Sequence, residues 1–257
     1  MISSAKLSID AAGVDVDPTL YRSMIGSLLY LTPSRRNIAF SVGVCARFQV
    51  APKESHLTAV KWIICYINGT ADYRIWYSKD SNECLASYSD ADWVGCIDDR
   101  KSTSGGCFYL GNNLVSWMSK KQNSVSLSMA KDEYIATGSC CAQLLWMRKL
   151  LHDYGITQDT MCVFFDIISA INLSKNLVQH SKSKHIEIRY HFIQDLVEEK
   201  IVCLEFINTN NQKANIFTKP LDGPRFESLH KTIGVGIIPW TLSPMWPHCV
   251  HYCIFAL

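Results

Sequence analysis

The sequence predicts an α/β protein in which helices pack on a mixed β-sheet, preceded by a small helical unit. The first observation is that apolar residues recur at helical spacing up to about residue 69 and then alternate with polar residues, as in strands. The second is the order of the later segments, which reads three strands, helix, strand, helices, strand and helix. With 257 residues and 48% hydrophobic content, the chain is long and apolar enough to bury a core.

The helical unit is predicted for residues 18–80, after a disordered lead-in at 1–17 that is small, polar and acidic. Pro33-Ser34 separates its first two helices, and Asn68-Gly69 closes a third that begins near Pro52. Period-two alternation starts at about residue 70. The apolar positions that define the three helices are Met24, Leu28, Leu29 and Leu31, then Ile38, Val42 and Ala46, then Leu57, Val60, Ile63 and Ile64.

Three short strands joined by tight turns are predicted to form an antiparallel meander, followed by one long helix that ends at Gly155. The strand after that helix is apolar throughout, so we expect it at the centre of the sheet. The tail from Gly234 shows no periodicity. The predicted ranges are strands at 84–89, 106–110, 114–119, 162–165 and 201–207, and helices at 128–154, 169–175, 189–197 and 214–219.

Bulk composition restricts the functional classes. The formal net charge is only +2, so any binding to nucleic acid has to come from a local basic patch. The eleven cysteines form no Cys-x-x-Cys pair and sit mostly in apolar runs, which predicts buried free thiols in a reducing compartment. The start shows no secretory pattern, and no run reaches the roughly 18 apolar residues of a membrane span. We therefore expect an intracellular protein without a membrane partner.

Carboxylates stand at three places where elements begin or end. Asp90 ends the first strand of the meander, Asp166 ends the central strand, and Lys131-Asp132-Glu133 opens the long helix. Carboxylates at one sheet edge can hold two Mg²⁺ ions about 4 Å apart, an arrangement that hydrolyses phosphodiesters. The alternative for each aspartate is an ordinary turn or helix cap.

Seven segments carry a family resemblance, among them Tyr88-Ser-Asp-Ala-Asp-Trp93, Lys184-His-Ile-Glu-Ile-Arg-Tyr-His191 and Ile216-Phe-Thr-Lys219. In chain order they resemble the C-terminal part of plant Ty1/copia-type retrotransposon Pol polyproteins. The resemblance implies the end of a reverse transcriptase at 18–80 and a C-terminal helix with an irregular tail at 223–257. Between them, at 83–222, it implies a ribonuclease H-like mixed sheet with helices on both faces.

The resemblance also implies an activity, which is cleavage of the RNA strand of RNA–DNA hybrids with two Mg²⁺ or Mn²⁺ ions. The implied partners are the hybrid or another nucleic acid and the rest of the Pol polyprotein. Polymerisation is not expected, because the sequence contains no Tyr-x-Asp-Asp.

The implied catalytic set is Asp, Glu, Asp and Asp. Asp90 and Asp166 match its first and third members and are the expected metal ligands. Lys131 stands where the match places the glutamate, and Asn215 replaces the last aspartate. Asp132 and Glu133 are the alternatives for the glutamate, but they are not expected to replace it, because one and two residues along a helix rotate a side chain by about 100° and 200°. A cation and a neutral amide in these places weaken metal binding, so hydrolysis is predicted to be weak or lost. The alternatives are a non-catalytic nucleic-acid-binding remnant and a relic without function.

Two basic segments are candidate contacts to nucleic acid, with ordinary solvated residues as the alternative. Trp93 and Trp117 are candidates for base stacking, although large aromatics beside strands more often belong to the core. The tail residues 248–253 carry His and Cys, but their spacing fits no ordinary zinc finger. The basic candidates are Arg100, Lys101 and Ser102 in the first segment, and Lys182, Lys184, His185 and Arg189 in the second.

Overall fold

The computed structural model describes residues 6–79, 81–166 and 184–237, and for 184–190 it describes the backbone only. The first part is the predicted unit of three helices, α1 (Pro18–Leu31), α2 (Ala39–Ala46) and α3 (Glu54–Gly69). The Asp17 carboxylate starts α1 by accepting the Thr19 N–H at 2.9 Å. The helices share a core whose fully buried members include Tyr21, Ile25, Val42, Cys45 and Val60.

The residues before α1 contact the rest of the protein, which corrects the prediction of a disordered lead-in for residues 6–17. Asp15 pairs with Lys53 as an isolated β-bridge and as a 2.8 Å ion pair. The Ile9 N–H donates to the Asp98 carboxylate at 3.1 Å. Leu7 also packs against the core of the helical unit. These partners come from distant segments, so local composition does not reveal them.

The sheet begins after a short strand β1 (Tyr73–Ile75) and has five strands in the order β4-β3-β2-β5-β6. The pairs β2–β3 and β3–β4 are antiparallel, as the predicted meander requires, whereas β5 runs parallel to both β2 and β6. The mixed α/β sheet is thus confirmed. The strands are β2 (Leu85–Asp92), β3 (Thr103–Leu110), β4 (Asn113–Lys121), β5 (Met161–Phe165) and β6 (Val202–Phe206).

Helices cover both faces of this sheet. On one face, α4 (Met129–Asp153) and α5 (Lys184–Glu198) pack against it around Phe108, Leu144 and Val163. On the other face, a 3₁₀ segment (Lys213–Phe217) and α6 (Gly223–Thr232) bury the apolar residues Cys107, Tyr109, Leu114, Phe217 and Leu229.

Arg36 joins the helical unit to the sheet. It is fully buried, donates from Nη1 to the carbonyl of Leu114, and lies 5.4 Å from the ring centres of both Tyr77 and Trp117. Burial lowers the pKa of its guanidinium, and the two aromatic faces offset part of the desolvation. Trp117 therefore has a structural role beneath this cation.

The chain returns after α6 as a strand β7 (Val235–Ile237), which pairs antiparallel with β1. The sequence analysis found no periodicity from Gly234 onward and assigned no element there, whereas the structure forms a strand. A three-residue strand has no periodicity of its own, because its hydrogen bonds come from a partner about 160 residues away. Gly234, at φ +76°, turns the chain into β7.

The cysteines differ from the predicted set of buried free thiols. Cys65 and Cys84 are exposed, and the Sγ atoms of Cys162 and Cys203 lie in bonding contact, as in a disulfide. The predicted helix at 169–175 and the His- and Cys-containing tail at 248–253 lie outside the described residues. Within the described ranges, no helix has both the length and the apolar character needed to cross a bilayer.

Candidate metal centre

Two aspartates meet at the carboxyl edge of the parallel pair β2 and β5. Tyr88 is the register partner of Phe164, so Asp90 and Asp166, each two residues further on, project from the same side of the sheet. Their carboxylate oxygens lie within 4.8 Å of each other. The structure therefore brings together the two aspartates that the sequence placed at strand ends.

The third carboxylate at this edge is Glu133, whose ligand oxygen lies within 4.8 Å of those of both aspartates. Ser128 caps α4 by accepting the Lys131 N–H at 3.3 Å, which places Glu133 in the first two turns of the helix. Glu133 Oε1 accepts the Ala91 N–H at 3.0 Å, next to Asp90 on β2. Helix α4 thus delivers a glutamate directly to the strand that carries the first aspartate.

This geometry corrects the assignment of Lys131 to the glutamate position. Lys131 is only half-buried, and it does not line the cleft that contains Asp90 and Asp166. Glu133, Thr137, Cys140 and Leu144 follow one helical stripe and are all at most 2% exposed, but the adjacent Asp132 is fully buried as well, so the pattern alone does not single out Glu133. Of Lys131 and Glu133, the structure brings only Glu133 to the cleft.

The site is crowded with negative charge. Asp90 is 2% exposed and Glu133 is 1% exposed. Burial raises the pKa of Asp90, while Lys219 and Thr218 oppose this rise. The pKa of Glu133 is raised well above its usual range by burial and then by the charge of Asp90.

Thr218 and Lys219 hold Asp90 from the other side of the site. The Thr218 hydroxyl donates to Asp90 Oδ2, and Lys219 Nζ lies 3.4 Å from Asp90 Oδ1. Gly105, the register partner of Asp90, allows this approach, because a Cβ there would lie 2.5 Å from the Thr218 methyl group. The sequence analysis quoted Thr218 and Lys219 within a motif but gave them no role, since only the fold shows their target.

Asn215 lies beside the site without joining the three carboxylates. It is 2% exposed, and its Nδ2 donates to the Thr209 carbonyl at 3.3 Å. Its Oδ1 is buried and has no hydrogen-bond partner among the described residues. Thr209 itself lines the carboxylate cleft. The amide predicted to replace the fourth aspartate is thus held by the backbone of that cleft.

The residues present fit hard divalent cations. Carboxylate oxygens are the ligands that Mg²⁺ and Mn²⁺ prefer, and three of them converge here. Glu133 Oε2 is buried and has no hydrogen-bond partner in the described part of the chain, as expected of a ligand atom facing an ion. The cleft has a volume of about 330 Å³ and includes Asp90, Asp92, Trp93, Glu133 and Asp166 in its lining.

The residues predicted to contact nucleic acid differ in their exposure and in their partners. Ser102 is 1% exposed and its Oγ accepts the Val94 N–H at 3.1 Å, so its hydroxyl holds the loop between β2 and β3. Arg100 is exposed, and Lys101 lies 4.0 Å from Asp99 at the same end of the sheet. Trp93 is 45% exposed and lines the cleft. The side chains of Lys182, Lys184, His185 and Arg189 lie outside the described residues.

Known solved structures resemble this chain only at low similarity. A ribonuclease H1 isolated from compost by a metagenomic approach is 14% identical, with a TM-score of 0.40, and the match covers 53% of this chain and 93% of that one. A foamy viral protease–reverse transcriptase in complex with double-stranded DNA is 14% identical, with a TM-score of 0.49, and the match covers 74% of this chain and 32% of that one. Because both TM-scores are below 0.5, these two structures carry no argument about the function of this chain.

Sequence relatives are much closer, although no family model matches the chain. The retrovirus-related Pol polyprotein from transposon RE1 of Arabidopsis thaliana is 38% identical over 240 residues, or 93% of this chain. The corresponding polyprotein from transposon TNT 1-94 of Nicotiana tabacum is 38% identical over 216 residues, or 84% of this chain. The chain spans only 16% of the length of each relative. It belongs with the retrovirus-related Pol polyproteins of plant transposons, of which it represents one part.

Proposed function

We propose that this chain is a ribonuclease H that uses divalent metal ions to hydrolyse the RNA strand of RNA–DNA hybrids. The observation that carries the proposal is the convergence of Asp90, Glu133 and Asp166, from two parallel strands and a capped helix, on one cleft. Because Glu133 supplies the glutamate, only one of the expected four carboxylates is replaced, at Asn215, and the other three are present. We therefore propose a weakened activity, with three carboxylates retained.

The residues of the chain position the ligands. When bound, Mg²⁺ or Mn²⁺ would activate a water molecule and stabilise the leaving oxygen of the phosphodiester. The Ala91 N–H fixes one oxygen of Glu133, and the Thr218 hydroxyl fixes one oxygen of Asp90. Asp166 is held by the pairing of β5 with β2. The second oxygen of Glu133 has no hydrogen-bond partner among the described residues and is available as a ligand, whereas the second oxygen of Asp90 lies 3.4 Å from Lys219 Nζ.

The surface around the cleft supports a nucleic acid as the substrate. Arg100 and Lys101 lie in the loop between β2 and β3, which starts beside the carboxylate edge. Cations at this position can contact phosphates, and the exposed ring of Trp93 can stack on a base. We further propose that residues 18–80 derive from the end of a reverse transcriptase and that the rest of a Pol polyprotein is a partner of this chain.

A second candidate is a hybrid-binding protein without cleavage. The ion pair between Lys219 and Asp90, together with the neutral amide of Asn215, favours it, because both reduce the negative charge available to metal ions. In this case the basic residues near the cleft would still bind the phosphate backbone, with an affinity that falls as salt increases.

The decisive experiment is cleavage of a hybrid whose RNA strand is labelled, in Mg²⁺ and in Mn²⁺, with EDTA as the metal-free control. We expect cleavage by the wild type and at least a hundredfold loss in Asp90→Asn and in Glu133→Gln, since each removes a charged ligand. Asp159→Asn, at an exposed position away from the cleft, serves as the matched control and should retain the wild-type rate.

Two results would contradict the proposal. Salt-dependent hybrid binding without any metal-dependent cleavage would favour the second candidate. Cleavage that persists in Asp90→Asn would show that the activity comes from a contaminant or from other residues.

A further inference from the structure

A second group of potential metal ligands lies on the same sheet, away from the carboxylate edge. It consists of Cys162 on β5 with Cys203 and Glu205 on β6, whose ligand atoms all lie within 4.8 Å of one another. Cys162 and Cys203 are direct register partners in the parallel pair, with Cα atoms 4.8 Å apart. Adjacent strands therefore present the two sulfur atoms side by side.

Glu205 turns toward the sulfur atoms although it is exposed. Its Oε1 lies 3.6 Å from Cys162 Sγ and 3.8 Å from Cys203 Sγ. The spacing Cys203-x-Glu205 puts both side chains on one face of β6, because alternate residues of a strand share a face. One carboxylate oxygen thus lies near both thiols.

The neighbouring residues on β2 and β5 define the surroundings of the group. The small residue Ala86 is the register partner of Cys162 on the side of β2. In the next row, the ring of Phe164 stacks on Tyr88 with ring centres 4.9 Å apart. Both cysteines are only half-buried, which leaves the group open to solvent.

We propose that Cys162, Cys203 and Glu205, with both thiols reduced, form a binding site for Zn²⁺ or a similar thiophilic divalent ion. Two thiolates and one carboxylate are a donor set that zinc accepts, with Zn–S bonds of about 2.3 Å. Two sulfur donors on one tetrahedral zinc ion are about 3.8 Å apart, so the two Sγ atoms, which are in bonding contact here, have to separate by about 1 Å. Glu205 Oε1 already lies 3.6 Å and 3.8 Å from them. Three protein ligands leave a fourth position open to water or to an outside ligand.

This site is chemically and spatially separate from the carboxylate centre. Thiolates select soft ions, whereas Asp90, Glu133 and Asp166 offer oxygen ligands only. Cys162 and Asp166 are four residues apart along β5 and its end, which corresponds to about 13 Å of extended chain. Metal binding here is therefore independent of the proposed ribonuclease activity.

The test is a titration of the full chain, reduced with a phosphine, with Cd²⁺ and then with Zn²⁺ in competition. The ultraviolet band of cadmium–thiolate bonds reports thiolate ligands and is silent for the carboxylate centre. We expect one equivalent in the wild type, loss of the band in Cys162→Ser and in Cys203→Ser, and about tenfold weaker binding in Glu205→Gln. Cys84→Ser removes an exposed thiol elsewhere and should leave the titration unchanged.

A second measurement does not depend on the folding of the variants. Bound Zn²⁺ should slow alkylation of Cys162 and Cys203 in the wild type at least tenfold, while alkylation of Cys65 and Cys84 stays unchanged. Absence of this protection would overturn the proposal. So would a cadmium band that persists in both serine variants, or a Cys162–Cys203 pair that stays oxidised after the reductant.

Discussion

Glu133 is predicted to destabilise the protein in the absence of metal ions, because the centre holds three carboxylates before any cation binds. We expect Glu133→Gln to stabilise the metal-free protein while removing its metal response. Glutamine has nearly the same shape, and its Oε1 can still accept the Ala91 N–H that Glu133 accepts. The substitution therefore removes the charge and preserves the contact.

The size of the effect follows from the charges around Glu133. Two unit charges 4.8 Å apart repel by about 3.5 kcal/mol at an effective dielectric constant of 20. Protonation of Glu133 sets an upper limit on the cost of this repulsion. Protonating a carboxyl group with an ordinary pKa of 4.5 costs about 3.4 kcal/mol at pH 7. The cation of Lys219 offsets part of the repulsion. We expect Glu133→Gln to raise the free energy of unfolding by about 1 to 3 kcal/mol at pH 7.

The pH dependence has a definite sign. The pKa of Glu133 is raised in the folded state. Below pH 4.5, Glu133 is protonated in both the folded and the unfolded protein and does not destabilise the fold. Its destabilising effect grows as the pH rises toward 7. The advantage of Glu133→Gln should therefore shrink on acidification.

The assay is urea unfolding in EDTA and in Mg²⁺, followed by circular dichroism. Mg²⁺ should stabilise the wild type and leave Glu133→Gln nearly unchanged, because a ligand stabilises only the state that binds it. Glu198→Gln on the exposed side of α5 is the control, and it should change stability by less than about 0.5 kcal/mol. If Glu133→Gln is as stable as the wild type in EDTA, or less stable, the carboxylates do not repel one another as the structure implies.

Three further predictions concern the surroundings of the site. Asn215→Asp should raise hybrid cleavage and Mg²⁺ affinity by about tenfold or more, measured as initial rates across a Mg²⁺ series, because it restores an anionic oxygen beside the cleft. Gly105→Ala should lower the free energy of unfolding by about 1 to 3 kcal/mol through its clash with Thr218, whereas Gly26→Ala, with open space around it, should be neutral or stabilising in the same urea series. Burial lowers the pKa of His230 to about 4, so stability should fall by up to about 2 kcal/mol between pH 7 and pH 5, and His230→Gln should abolish that part of the decline.

Local patterns in the sequence were enough to predict the α/β class, the three antiparallel strands, the long helix and the two strand-terminal aspartates. These features are local, because apolar periodicity and turn residues report which face of a segment is buried. Asp90 and Asp166 could be paired in advance, since neighbouring parallel strands end at one edge.

Which side chains meet depends on the packing of distant segments. It selected Glu133 over Lys131, because the rotation of α4 against β2 fixes which residue reaches the Ala91 N–H. It also set Thr218 against Asp90 and Cys162 against Cys203, contacts between segments 128 and 41 residues apart. Such pairs leave no periodic trace in the chain, because their partners are set by strand register and helix packing.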